Sequence, residues 1–357
     1  MALPFLDRDG RSKRDQILAV DLGGRRTKAV QIQRQGDSLA LTGYAMMDAP
    51  VFDKTIPVEL LTEHLQTLNT TMGSKTKLLA MTVGVNDSVV RPVEMPKIPI
   101  DDLRQVLKLN SKTYLQQDLS QYVFDCHVIP PWQQGATPDA AAAGSLPKQK
   151  VLVTGAHSNL INDMVEGAKR AGFMADHIVP GLIGPVNSFE MAMPEIFKSQ
   201  AIALVDIGFR SSTICLLKNG EFVLNRVVGI GGDRLTTSLS ESMNISYAEA
   251  EGIKVGVAHE VQSALESSLT PLGRELRASI DFFEHQQDRA VSTVFISGGS
   301  ARSEVIMNAL QTELMVECKT WDPVGFLKME LPAAQAGEIE QIAPELVVAV
   351  GVAITAL

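Results

Sequence analysis

The sequence has few cysteines, no excess of positive charge and no long apolar run. Cys126, Cys215 and Cys318 are three in number and far apart. That spacing argues against a disulfide framework and against a cysteine zinc site, and leaves buried or incidental thiols. Formal net charge is −9, so a nucleic-acid partner is not expected. The longest apolar stretch is the C-terminal LVVAVGVAITAL, short of the roughly 20 residues a bilayer span requires. The start, MALPFLDRDGRSKRDQ, has too short an apolar part for a secretory signal. Residues 1–15 read instead as a mobile polar tail with a small hydrophobic tip at Leu3, Phe5 and Leu6. Together these absences predict a cytoplasmic protein that meets a membrane through a partner or through that tip.

What is present is a repeated stretch. Residues 17–32, ILAVDLGGRRTKAVQI, read as strand, tight glycine turn, strand. Asp21 ends a short buried run, and Gly23 and Gly24 let the backbone turn and leave amides open to approach. Thr27 and Lys28 then supply a hydroxyl and an ammonium. A carboxylate for hydrated Mg²⁺, bare amides, a hydroxyl and a cation are what a polyphosphate needs. One copy alone is equally an ordinary hairpin. The stretch recurs without a gap at 202–217, IALVDIGFRSSTICLL. Ile17/Ile202, Val20/Val205, Asp21/Asp206, Gly23/Gly208 and Arg25/Arg210 are identical pairs, and Thr27 faces Ser212. Copies half a chain apart mark two related domains rather than a solenoid. Two such hairpins across a cleft suit a nucleotide's phosphates.

The length of 357 residues, 45% hydrophobic and 20% charged, fits two or three soluble domains. After the first hairpin, 38–45 reads as a returning strand. Leu60, Leu61, Leu65 and Leu68 have helical spacing, and 77–85 reads as a buried strand. Residues 84–173 read as an inserted α+β unit of two helices on a short sheet, with a surface loop at 131–148. Residues 174–195 return to the first domain. In the second domain, Lys218-Asn219-Gly220 is a hairpin turn, Gly231 and Gly232 precede a helix, and 246–290 is helical. There Glu251 and Lys254 share a helix face. Their spacing fits an exposed ion pair; two side chains reaching to an adenine are the other reading. Gly298, Gly299 and Ser300 form a strand-to-helix turn that is either a plain turn or backbone laid against a nucleoside.

The two D-x-G turns resemble the phosphate motifs of the superfamily of actin, heat-shock chaperones and sugar kinases. The inserted unit resembles that of the FtsA and PilM families, and more closely PilM of type IV pilus assembly. The matching segments are Asp21-Leu22-Gly23 with Lys28, the proline-punctuated Glu94–Pro99, and Gly231-Gly232-Asp233-Arg234-Leu235-Thr236. They continue with Ala250, Glu251 and Lys254, then Gly298–Ala301, then the apolar C-terminal helix. The resemblance covers nearly 15–357. It implies an α/β fold of two ribonuclease-H-like actin-superfamily domains facing a nucleotide cleft, with an FtsA/PilM-type α+β subdomain inserted in the first. The boundaries expected are 16–83 and 174–195 for the first subdomain and 84–173 for the insert. The second subdomain takes 196–235 and 291–357, and 236–290 forms a helical subdomain.

For function, the resemblance implies a cytoplasmic scaffold held at the inner membrane by partners. It binds ATP and Mg²⁺, at most hydrolyses ATP weakly, and binds the cytoplasmic N-terminus of a PilN-like bitopic protein through the insert and the first domain. Other platform components and self-association belong to the same expectation. Asp21 and Asp206 would hold Mg²⁺ largely through water. Gly23, Gly24, Thr27, Lys28, Gly208, Ser211 and Ser212 would hold phosphates, with Gly231 and Gly232 beside them. Glu251, Lys254, Gly298, Gly299 and Ser300 would hold the nucleoside. No residue is assigned to orient an attacking water. Arg25, Arg26, Phe209 and Arg210 stand where the family has small residues; the arginines either clamp phosphates or fill their place. A sugar kinase of the same superfamily and a scaffold that binds no nucleotide are the alternatives.

Overall fold

The structure, a computed structural model, describes residues 15–129, 147–256 and 262–357. The expected N-terminal tail up to residue 14, and the 131–148 loop up to residue 146, lie outside those residues.

The chain opens with a meander of β1 (Gln16–Leu22), β2 (Arg26–Gln35) and β3 (Ser38–Asp48). Helix α1 (Val58–Met72) follows, burying Leu61, Leu65 and Leu68 on one side, and β4 (Leu78–Val83) lies parallel to β1. Each of those leucines is fully buried, which stabilises the fold by about 1.5–3 kcal/mol apiece. The insert contains β5 (Ser88–Pro96), α2 (Ile100–Leu115), β6 (Tyr122–Val128), β7 (Lys148–His157) and α3 (Ser158–Arg170). The chain returns through β8 (Met174–Pro180), then α4 (Ile183–Ala192) and α5 (Pro194–Ser199).

The second half repeats the opening with β9 (Ala201–Ile207), β10 (Ser212–Lys218) and β11 (Glu221–Val228). Then come α6 (Gly232–Met243), α7 (Tyr247–Gly256) and α8 (Gln262–Gln287). The remainder is β12 (Thr293–Ser297), α9 (Glu304–Leu314), β13 (Cys318–Thr320), β14 (Lys328–Met329), α10 (Ala333–Ala336) and α11 (Ile339–Ala356).

The strand order is β14-β3-β2-β1-β4-β8 in the first sheet and β11-β10-β9-β12-β13 in the second. Apart from β14, the two orders correspond position for position. So do the registers: Asp21 lies opposite Lys28, and Asp206 opposite Thr213. The repeated stretch therefore occupies the same place in two sheets of the same plan.

Between the sheets run two crossed helices. The apolar α11 packs on β1, β2 and β4, and α4 lies between α11 and the second sheet. Ile17, Val30, Val186, Phe189, Leu204 and Val350 share this core. The Phe189 and Phe295 ring centroids are 4.7 Å apart, and Ser188 Oγ donates to the Val347 carbonyl at 2.9 Å. The crossing is a backbone contact: a Cβ on Gly351 would lie 1.8 Å from the Gly184 carbonyl oxygen. Only glycine fits there. Among the described residues α11 alone has the length and composition to cross a membrane, and it is 67% buried inside the protein.

Two placements differ from the sequence reading. β14 pairs with β3, and α11 covers the first sheet, so the end of the chain crosses back rather than staying in the second half. An apolar helix gains most by burial between two layers, and only the interface offers both. Within the insert, α2 packs on the small sheet β5-β7-β6 with Leu103, Leu107 and Val151 in its core, while α3 touches β6 and β7 without joining that core. Helix α3 turns its Met164 and Ala168 to Leu61 and Leu65 of α1 instead.

Candidate functional site

Both repeated hairpins turn in the same way. A Cβ on Gly23 would lie 2.5 Å from the Arg26 carbonyl oxygen, and one on Gly208 would lie 2.8 Å from that of Ser211. Each bend thus folds onto the carbonyl three residues ahead, which a side chain would prevent. The bends face each other. The Arg210 side chain lies over Gly24, 3.4 Å from where a Cβ would be. Asn86 Nδ2 is 3.5 Å from Ser211 Oγ.

Lys28 pairs with the first aspartate and feels the charge of the second. Its Nζ donates to Asp21 Oδ2 at 3.1 Å. Burial pushes the ammonium's pKa down, but the carboxylates of Asp21, Asp206 and Glu345 more than offset this and leave it above the usual lysine value. Each aspartate also accepts from a hydroxyl on the neighbouring parallel strand. Thr82 Oγ1 donates to Asp21 Oδ1 at 3.1 Å, and Ser297 Oγ donates to Asp206 Oδ1 at 3.0 Å. Burial raises the Asp206 carboxyl, with Lys28 and Ser297 pulling the other way.

The side wall belongs to α6 and α7. Lys254 is 4% exposed. Its Nζ donates to Glu251 Oε2 and Thr236 Oγ1, both at 2.8 Å, and to the Gly232 carbonyl at 3.2 Å. Burial lowers its pKa despite the attraction of Glu251. Burial raises the Glu251 carboxyl, but hydrogen bonds from Lys254 and Thr236 outweigh this and leave it below its usual value. The exposed pair that spacing suggests is in fact built into the wall. Gly298 donates its N–H to the Pro344 carbonyl at 2.9 Å, Ser300 is buried, and Gly299 faces Glu345.

Not every candidate reaches the gap. Thr27 and Ser212, equivalent in the repeat, are both 0% exposed. Thr27 Oγ1 is 2.8 Å from His64 Nε2 of α1, and Ser212 Oγ donates to the Ile230 carbonyl at 2.7 Å. Each hydroxyl points into its own half. At the start of α6, the Gly232 and Asp233 amides donate to the Gly208 and Phe209 carbonyls, each at 2.9 Å. They hold the second bend and are not free for an anion. The sequence reading missed Thr82 and Ser297, each a hydroxyl residue closing an apolar strand. It also missed Glu345, an acid just before an apolar helix run.

A family model for type IV pilus assembly protein PilM matches residues 19–357. The chain belongs to the PilM family. A solved PilM–PilN type IV pilus biogenesis complex superposes with TM-score 0.81 at 19% identity, covering 97% of this chain and 99% of that one. MreB 5 of Spiroplasma citri, solved bound to AMPPNP, gives TM-score 0.52 at 10% identity over 95% of both chains. The cell division protein FtsA of Bacillus subtilis is 22% identical over 261 residues, 68% of this chain and 58% of FtsA. The chain therefore has the actin-like ATPase fold.

Proposed function

We propose that this chain is a nucleotide-binding scaffold of type IV pilus assembly. It takes ATP-Mg²⁺ between the two bends and the cytoplasmic N-terminus of a PilN-like membrane protein on the insert side. The observation that carries the nucleotide reading is Lys28, a charged ammonium paired with Asp21 of one bend and within the field of Asp206 of the equivalent bend. Lys28, the backbone of Gly23, Gly24 and Gly208, and Ser211 would hold phosphates. Glu251, Lys254 and Gly298–Ser300 would line the nucleoside. Among the described residues no three His, Cys, Asp or Glu side chains are grouped to ligate a metal directly. Two carboxylates suit a cation that keeps most of its water and shares the phosphates. Thr27 and Ser212 are left out of the ligand set because their hydroxyls are buried and engaged.

The partner reading rests on the family and on the surface where insert and first sheet meet. β6 is an edge strand of the small sheet. Val123 on β6, Val165 on α3 and Met174 on β8 are 50%, 43% and 51% exposed, and α3 touches both strands. Such a partner would bring the protein to the cytoplasmic face of a membrane.

Arg210 over Gly24 favours one other reading, a cleft filled by its own side chains. A thermal-shift titration with Mg²⁺-ATP separates the two. Melting temperature should rise with ligand concentration, rise less for ATP in chelator, and stay flat in Asp21→Ala. No shift in the parent protein means a scaffold without nucleotide. ATP consumption that appears only with a sugar means a kinase.

A further inference from the structure

Asp21, Asp206 and Glu251 each accept hydrogen bonds from the protein. Asp21 takes them from Lys28 and Thr82, and Asp206 from Ser297. Glu251 takes them from Lys254 and Thr236 on one oxygen and from Arg25 on the other. Glu345 differs. Its side chain is 13% exposed, and the cation beside it, Arg26 Nη1, is 3.6 Å from Oε2, beyond hydrogen-bond reach. Among the described residues no N–H or O–H donates to this carboxylate. So enclosed an acceptor calls for a donor.

The backbone fixes where Glu345 stands. Pro344, just before it, accepts from the Gly298 N–H at 2.9 Å, and Glu345 Oε2 would lie 3.7 Å from a Cβ on Gly299. The carboxylate therefore lies against the 298–300 turn of the proposed nucleoside wall. It also meets Arg26, where the first bend enters β2, and the Lys28 ammonium feels its charge. Glu345 thus joins the phosphate end of the site to the nucleoside end. In a nucleotide the group between phosphates and base is the ribose. The chemistry agrees: an ionised carboxylate only accepts hydrogen bonds, as phosphate oxygens do, whereas ribose hydroxyls donate.

We propose that Glu345 is a specificity-determining residue that accepts a hydrogen bond from a ribose hydroxyl of the bound nucleotide, so that the cleft prefers ribonucleotides to deoxyribonucleotides. This rests on the nucleotide reading above. It gives Glu345 a role beyond its ion pair with Arg26.

Calorimetric titration of the full chain with Mg²⁺-ATP and with its 2′-deoxy and 3′-deoxy analogues tests it. The parent protein should bind ATP about tenfold tighter, or more, than at least one analogue, because that analogue leaves a charged acceptor unmatched. Glu345→Gln should reduce the preference and Glu345→Ala should remove it. Neither variant strips a protein donor of its partner, so both should melt as the parent does without ligand. Arg26→Ala should keep the preference, whatever it does to affinity. Equal binding of ATP and both analogues by the parent overturns the proposal and leaves the nucleotide reading standing. So does a preference that survives in Glu345→Ala, or one that Arg26→Ala abolishes as fully. Inosine triphosphate covers the nucleoside's other donor, the adenine amine. If Glu345→Ala erases a preference for ATP over inosine triphosphate but not over the deoxy analogues, the carboxylate meets the base and the proposal falls. A parent protein that binds none of these nucleotides overturns the nucleotide reading itself, and the ribose contact with it.

Discussion

One bend joins β1 to β2 through Gly23 and Gly24; the other joins β9 to β10 through Gly208 and Phe209. Both fold onto a carbonyl three residues past the first glycine. Both end a strand on an aspartate that accepts from a hydroxyl of the parallel neighbour. They differ at the position opposite the aspartate, which is Lys28 in the first half and Thr213 in the second. The duplication therefore preserves what makes the turn, while charge is shared over the pair, one ammonium for two carboxylates. An anion that draws Lys28 away leaves two facing aspartates without a counter-ion, so an anion that brings a cation of its own fits better than a bare one.

The largest effect expected from this difference comes from removing the ammonium. Lys28→Met leaves Asp21 and Asp206 facing each other without it. Breaking a well-buried ion pair costs on the order of 3 kcal/mol, and Asp21 is only 8% exposed. Urea unfolding at neutral pH should show a loss of that order. Because the halves are equivalent, Thr213→Lys in the Lys28→Met background supplies the cation from the other side and should recover part of it. No recovery would mean that Lys28 serves its own half alone.

Next in size are the glycines. Alanine at either bend overpacks the turn, at about 1–3 kcal/mol. Gly23→Ala should cost more than Gly208→Ala, because its Cβ would meet a carbonyl oxygen at 2.5 Å rather than 2.8 Å and would also lie 3.0 Å from Lys28 Nζ. Equal unfolding midpoints for the two variants would remove the asymmetry that the ammonium is said to create.

The repeat, the bends and the facing aspartates were legible because a tight turn restricts residue identity locally. Aspartate and glycine recur at fixed spacing, and their pairing needs no knowledge of the rest of the chain. Thr27 and Ser212 were assigned to the ligand because their type fits. Pleating would have corrected this, since neighbours in a strand point to opposite faces. Lys28 shares its face with Val30 and Ile32 toward α11, and Thr27 shares its own with Ala29 toward α1. Both cannot serve one ligand. Glu345 and the return of α11 to the first sheet were less accessible. They depend on two glycines, Gly184 and Gly351, meeting where the helices cross, and no local pattern couples positions so far apart.

The smallest effect separates the same two hydroxyls by pH. Ser212 bonds a carbonyl, which does not titrate; Thr27 bonds His64, which does. Burial lowers the His64 pKa below its usual value, so the unfolded chain takes up the proton first as pH falls. The contribution of His64 is then fully present above the unfolded value near 6.5 and is lost progressively at lower pH. Stability measured by urea at pH 7.5 should exceed that at pH 5.5, and His64→Gln should narrow the gap. It should not close it, because His127 in the insert is also lowered by burial and adds a loss of the same sign. Ser212→Ala should shift both measurements equally, by about 1 kcal/mol for a lost hydrogen bond. A His64→Gln variant with the same pH gap as the parent would mean that the first bend does not sense the proton at His64, and that the two hydroxyls differ in partner but not in behaviour.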